Sequence, residues 1–267
     1  MTERRITLCA DDFALHPLVD EAVVQLAQAG RLSATSCMST APRWRAAAPQ
    51  LLPLRGRIQL GLHFNLTEGH GGAHAAHSLG QVLAAAYLRR LAPAQLRDAW
   101  RRQLDAFEDA IGGAPDFIDG HQHVHQLPGV REALLAELQQ RYAGRAMPWV
   151  RSTVPAGSLW RDPKAAVIAA LGGWQATRLL RRAGVPMNRG FGGVYGFDAP
   201  SAEAYGARMQ AWLAQARDGS LLMCHPAAAE VPGDAIGAQR PVEFAYLMSE
   251  AFARDLRQQG CRLLLKE

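Results

Sequence analysis

Residues 6–13 read Ile6-Thr7-Leu8-Cys9-Ala10-Asp11-Asp12-Phe13, an apolar run that ends on two adjacent carboxylates. A short apolar run of this kind, with polar chemistry at its C-terminal end, is the pattern of a buried strand. Apolar side chains then recur at helical spacing over residues 17–29 (Val19, Val23, Leu26, Ala27), and Gly30 stops the helix. Strand followed by helix is the unit that repeats downstream.

Residues 33–38 read as a second strand, with Thr35 and Cys37 on one face, and 57–66 as a third, carrying Ile58, Leu60, Leu62 and Phe64. Residues 67–94, with Gly69, His70, Gly71, Gly72, His74 and His77, read as a loop and then a short Ala/Leu helix. A strong amphipathic helix follows at 93–111, a strand at 116–124, a helix at 128–142 and a short strand at 149–151. Helical stretches lie near 163–183 and 201–217. A strand at 221–224, one helix at 242–259 and a last strand at 262–265 complete the chain.

Alternation repeated this often predicts a mostly parallel sheet, barrelled or doubly wound. In such folds functional side chains gather at the C-terminal ends of strands. Asp11-Asp12, His63, His121 and His225 all fall at or near such ends. The 267 residues contain no internal repeat, low-complexity tract or Pro/Ser linker, so one domain is expected over 1–267.

With 49% hydrophobic and 20% charged residues the chain has the material for an ordinary globular core. The opening MTERRITLCADDF lacks the apolar stretch of about 7–15 residues that marks a secretory signal. No run reaches the ~18 apolar residues of a membrane span. A cytoplasmic protein without a membrane span is the expectation. Cys9, Cys37, Cys224 and Cys261 are far apart and form no CxxC pair, which argues for buried thiols over a disulfide framework or a thiolate zinc site. The net charge of +5 raises the question of nucleic acid. The arginines, such as Arg97, Arg101, Arg102, Arg181 and Arg182, are scattered through helices, with no basic run or interleaved aromatics, so no nucleic-acid partner is expected.

Four segments carry unusual chemistry: CADDF (9–13), GLHFNLTEG (61–69), DGHQHVH (119–125) and MCHPA (223–227). Adjacent aspartates repel unless a cation or hydrogen bonds compensate. They could instead cap the first helix, a reading that the five-residue distance from Asp12 to Pro17 disfavours. In an extended chain Asp119, His121, His123 and His125 all point to one side. If the chain coils after His121, then His121 and His125 share a helical face. Either geometry clusters imidazoles, which suit zinc and its first-row neighbours. Asp119 would orient a ligating imidazole from behind.

A set of two histidines and one carboxylate leaves coordination positions open, as a catalytic site needs. Asp12, His63 and His121 are the expected ligands of one divalent metal ion. Such an ion polarises a carbonyl and lowers the pKa of bound water from about 15.7 toward ~7. Asp11 is then the expected general base, and His225 the acid that protonates a leaving amine. Arg151 and Tyr195 are candidate substrate-side residues. The glycine-rich GFGGVYG (190–196) reads as a mobile loop whose Phe191 or Tyr195 is available to stack on a sugar. No G-x-S-x-G elbow, P-loop or strand-linked G-x-G-x-x-G is present.

At these four segments the sequence resembles the ChbG/HpnK (YdjC-like) family of carbohydrate deacetylases. The order ADDF, GLHFNLTEG, D-x-H-x-H-V-H with a following proline, and MCHPA runs nearly the whole chain. The resemblance implies a distorted parallel (β/α) barrel of the polysaccharide-deacetylase type. It implies a divalent metal, Mg2+ or Zn2+, on Asp12, His63 and His121, with Asp11 as base and His225 as the catalytic histidine. It implies N-acetylated sugars as substrates, either chitin oligosaccharides or an N-acetylglucosaminyl lipid, and often a homodimer. Two positions depart from the family pattern: Ala14 stands where glycine is commoner, and Gln122 lies between His121 and His123. The rival readings are a metal-assisted phosphoesterase on the same barrel, which arginines such as Arg151 and Arg189 would favour, and a non-catalytic metal-binding protein.

Overall fold

The computed structural model describes residues 3–69, 78–157 and 163–266. His70, His74 and His77 lie outside the described residues. The expected alternation is present. β1 (Arg4–Phe13), α1 (Pro17–Gln28) and β2 (Ala34–Cys37) lead, through the short α2 (Trp44–Ala47) and a 3-10 turn, to β3 (Gln59–Phe64). Then come α3 (Leu79–Tyr87), α4 (Pro93–Ile111), β4 (Phe117–Gly120), α5 (Val130–Arg141) and β5 (Trp149–Val150). The second half holds α6 (Pro163–Ile168), α7 (Trp174–Arg182), β6 (Phe191–Gly192), α8 (Ala202–Gln215), β7 (Ser220–Cys224), α9 (Arg240–Met248), α10 (Glu250–Gln258) and β8 (Cys261–Leu263).

All sheet pairings among the described strands are parallel, in the order β5-β4-β3-β2-β1-β7-β6, with β8 alongside the start of β1. Parallel bridges Val150↔Met187 and Pro155↔Phe191 then join the two ends of that row. The result is the distorted parallel (β/α) barrel expected from the sequence. β1 is its spine, buried from Ile6 to Phe13, as a central parallel strand covered on both faces must be.

The helices cover the sheet with apolar stripes. α4 buries Leu96, Trp100, Leu104, Phe107 and Ile111 at helical spacing, and Trp100 stacks on Phe64 of β3 with ring centroids 3.5 Å apart. Each such buried side chain contributes roughly 1.5–3 kcal/mol. The single helix expected at 242–259 is instead two. Ser249 leaves the helical conformation and its hydroxyl accepts from the Phe252 amide at 3.4 Å, capping α10. The Phe191 region is likewise a buried strand rather than a loop.

Two local departures aim side chains into the site. Between Ala10↔Thr35 and Phe13↔Cys37 the register of β1 against β2 slips, leaving an extra residue on β1 at Asp11-Asp12. Asp12 has a φ of 70° there. Such a bulge breaks the strict alternation of a strand and re-aims its side chains. The second departure follows β4. The strand stops at Gly120, and Gln122 and His123 take φ values of 51° and 60° inside an irregular 3-10 turn over His121–Gln126.

Candidate metal centre and active site

Asp12, His63 and His121 converge at the C-terminal ends of β1, β3 and β4, with one potential ligand atom from each within 4.8 Å of the others. Asp12 Oδ1 lies 3.3 Å from His63 Nε2 and 2.9 Å from His121 Nδ1. His63 is oriented from behind, its Nδ1 donating to Asp119 Oδ1 at 2.6 Å, which leaves Nε2 toward Asp12. Asp119 sits directly opposite His63 in the β3–β4 register. Ser36 Oγ lies 3.0 Å from the same His63 nitrogen and donates to Asp11 Oδ1 at 3.1 Å.

Asp11 turns to the other side of the bulge. Arg151 donates from Nη1 to Asp11 Oδ2 at 2.7 Å and from Nη2 to Oδ1 at 2.6 Å, and its Nη2 also lies 2.5 Å from Asp119 Oδ2. Burial alone would push the Asp11 carboxyl up. The Arg151 guanidinium outweighs it and holds Asp11 well below the usual carboxylate range. His225, just past the end of β7, brings Nε2 to 3.9 Å from Asp11 Oδ2. Its amide donates to buried Glu243 Oε2 at 2.7 Å, and Tyr195 donates to Glu243 Oε1 at 2.5 Å. Asp11, Asp12, His63, His121 and His225 thus line one cavity of about 560 Å³.

The other two histidines of DGHQHVH go elsewhere. The positive-φ turn separates them, so neither sharing pattern read from the sequence holds. His125 is buried with Nε2 3.0 Å from the Arg151 carbonyl oxygen, and burial pulls its pKa down to about 4. His123 lines the cavity and packs edge-on against Phe191; burial, with Arg151 nearby, holds it well below the usual histidine range. Phe191 itself is buried beside the Arg151 guanidinium and is not part of the cavity wall. Tyr195 is in that wall. The capping role for the aspartate pair is absent: His16 caps α1 through Nδ1, and Asp20 takes the Ala14 amide at 2.6 Å.

The residues at this site fit a divalent cation. The donor set is one carboxylate and two imidazoles, and the surrounding field favours positive charge. Burial would lower the His63 pKa, yet Asp119, Asp12 and Asp11 raise it to about 10. Two imidazoles with one carboxylate are a donor set suited to zinc and its first-row neighbours.

Sequence reasoning missed Arg240. It lies on α9, is buried, and donates from Nη2 to Asp12 Oδ2 at 2.8 Å, while its Nε bonds Asp234. Burial raises the Asp12 carboxyl, but Arg240 and His121 together hold it well below the carboxylate range. Glu68, inside the quoted GLHFNLTEG, was also passed over, although its Oε1 lies 3.4 Å from His121 Nε2. Arg189 does not line the cavity. The guanidiniums of Arg151 and Arg240 are both held by carboxylates.

The fold is a parallel (β/α) barrel with Asp11, Asp12, His63, His121 and His225 gathered at its strand ends. The profile of the YdjC-like protein family matches residues 5–258, and the chain belongs to that family. It is 34% identical over 154 residues to a carbohydrate deacetylase of Mus musculus, covering 53% of this chain and 49% of that one. The matching stretch thus spans about half the length of that relative. A chitooligosaccharide deacetylase of Klebsiella pneumoniae (strain 342) is 24% identical over 98% of this chain and 97% of its own. Among solved structures, a protein of Enterococcus faecalis V583 whose name refers to cellobiose-phosphate cleavage superposes with a TM-score of 0.69 at 17% identity. The superposition covers 98% of this chain and 97% of that one, and shows that the fold is shared.

Proposed function

We propose that this chain is a divalent-metal-dependent hydrolase that removes N-acetyl groups from acetylated amino sugars, of the chitin-oligosaccharide type or lipid-linked. One observation carries the reading. Asp11 and His225 face the same cavity as the ligand set without belonging to it, His225 Nε2 standing 3.9 Å from Asp11 Oδ2. A protein that merely holds a metal needs neither. The family and the named relatives support the same reaction class.

Asp12, His63 and His121 would hold a divalent ion, magnesium or zinc, which when bound would supply Lewis acidity at the acetamide carbonyl and the attacking water. Asp11, kept ionised and aimed by Arg151, accepts the water proton. His225 Nε2 donates a proton to the amine as the carbon–nitrogen bond breaks, so acetate and a free amino sugar leave. Tyr195 and Phe197 of the cavity wall give the sugar ring an aromatic side. One sheet running from Arg4 to Leu263 supports reading 1–267 as a single deacetylase domain. The phosphoesterase reading loses its support where Arg151 and Arg240 are already engaged by carboxylates.

The test is acetate release from N-acetylglucosamine oligomers by metal-stripped protein, with zinc, magnesium, manganese or cobalt added back. Metal-dependent release that Asp11→Asn abolishes, with metal binding intact, is the expected result. Tight metal binding without release from free or lipid-linked amino sugars would leave the non-catalytic binder.

A further inference from the structure

The segment over α6, the π-helical turn Ala169–Gly173 and α7 inverts the usual order of an amphipathic helix. Its inner face is made of small residues: Ala165, Ala169, Gly172, Gly173 and Ala176 are buried. A Cβ at Gly172 would stand 2.5 Å from the Gln126 carbonyl oxygen, so the backbone itself lies on the barrel. Gln126 Nε2 fixes it there, donating to the Ile168 and Leu171 carbonyls at 2.8 and 3.2 Å. The bulky apolar side chains point outward instead: Val167 is 56% exposed, Leu171 37% and Trp174 42%. They lie on either side of, and at, a kink where Leu171 and Gly172 leave the helical conformation, and all three are exposed.

Exposed Arg178, Arg181 and Arg182 follow on α7, and the chain carries no Asp or Glu from Pro163 to Phe197. An outward row of Val, Leu and Trp that runs into guanidiniums matches a surface that is apolar below and anionic above. A second copy of the chain fits poorly, since a two-fold contact through this segment offers the guanidiniums no carboxylate from the other copy's segment. We propose that this face docks onto an anionic phospholipid surface. The helix lies on the bilayer rather than through it; no helix among the described residues is long and apolar enough to cross one. Lys164 and Ile168 on the same segment line the catalytic cavity, so docking sets its mouth beside the lipid headgroups. The proposal is independent of the reaction assigned to that cavity.

The test is co-sedimentation of the full chain with phosphatidylcholine vesicles, with and without phosphatidylglycerol, at low and high salt. Binding to phosphatidylglycerol vesicles that weakens with salt is expected. Each surface cation contributes roughly fivefold, so Arg178→Gln/Arg181→Gln/Arg182→Gln lowers partitioning about a hundredfold. Val167→Ser/Leu171→Ser/Trp174→Ser lowers it as well, while circular dichroism stays native because all six positions are exposed. Absence of binding by the unaltered chain, or binding that neither variant weakens, overturns the proposal. A dimer that the serine variant dissociates, without vesicle binding, overturns it in favour of a second copy.

Discussion

Arg151 holds both carboxylate oxygens of Asp11 in a fork, at 2.7 and 2.6 Å, with both side chains buried. The same guanidinium reaches Asp119, so one cation neutralises two carboxylates behind the Asp12–His63–His121 cluster. Removing it leaves Asp11 buried with the Ser36 hydroxyl as donor, and Asp119 with His63. Arg151→Met is expected to cost about 3–5 kcal/mol in urea unfolding. A loss below 1 kcal/mol would mean that the pair is not closed in solution.

Asp119 fixes the ring of His63 through a 2.6 Å hydrogen bond. Asp119→Asn is expected to weaken divalent-metal affinity about 10–100-fold, read by competition with a chromogenic chelator. Unchanged affinity would remove His63 from the ligand set.

His225 carries a proton rather than a metal in the proposed reaction. His225→Gln is expected to lower kcat about 10²–10⁴-fold while the chelator titration stays at the unaltered value. Loss of metal binding in this variant would move His225 into the ligand set.

Ala14 adopts a φ of 76°, the left-handed region that glycine occupies without penalty. It is also the position where the family more often carries glycine. Ala14→Gly is therefore expected to stabilise the fold by about 1 kcal/mol, raising the urea midpoint.

Burial holds neutral His125 at a pKa of about 4, against 6.5 for a free imidazole. Because the folded value is the lower one, the unfolded chain takes up the proton first. Stability from this site is intact above about pH 6.5 and drains away as pH falls toward 4. The displacement corresponds to about 3 kcal/mol. The stability difference between the protein and His125→Gln should narrow by that order across this window, and a pH-independent difference would contradict it.

The parts of the molecule that obey simple periods were legible in the sequence. α4 begins at Pro93 and ends at Ile111, where the helical spacing placed it, and β1 carries its carboxylates at its C-terminal end. The sequence also named Asp12, His63 and His121 as one cluster because each follows an apolar strand. What stayed hidden depends on conformations that period counting cannot see. The positive φ values of Gln122 and His123 scatter three histidines that look equivalent on paper. Arg240 lies 228 positions from Asp12 in the chain and sits in an ordinary-looking helix; only the closed fold brings them together. The two-residue strand β6 is too short to carry a pattern, whereas β5 falls where a short strand was read at 149–151.

Those two short strands have a consequence of their own. Where they meet, the ring is closed by two isolated bridges, Val150↔Met187 and Pro155↔Phe191, instead of a ladder. Few backbone bonds must break there for the wall to part, so amide protons along this line should exchange with deuterium well before those of the β1–β7 ladder. Between the two bridges the Asn188 side chain spans the gap, accepting from the Ser152 amide at 2.7 Å and donating to the Ser152 carbonyl at 3.0 Å, so Arg151 stands beside a side-chain clamp rather than a strand ladder.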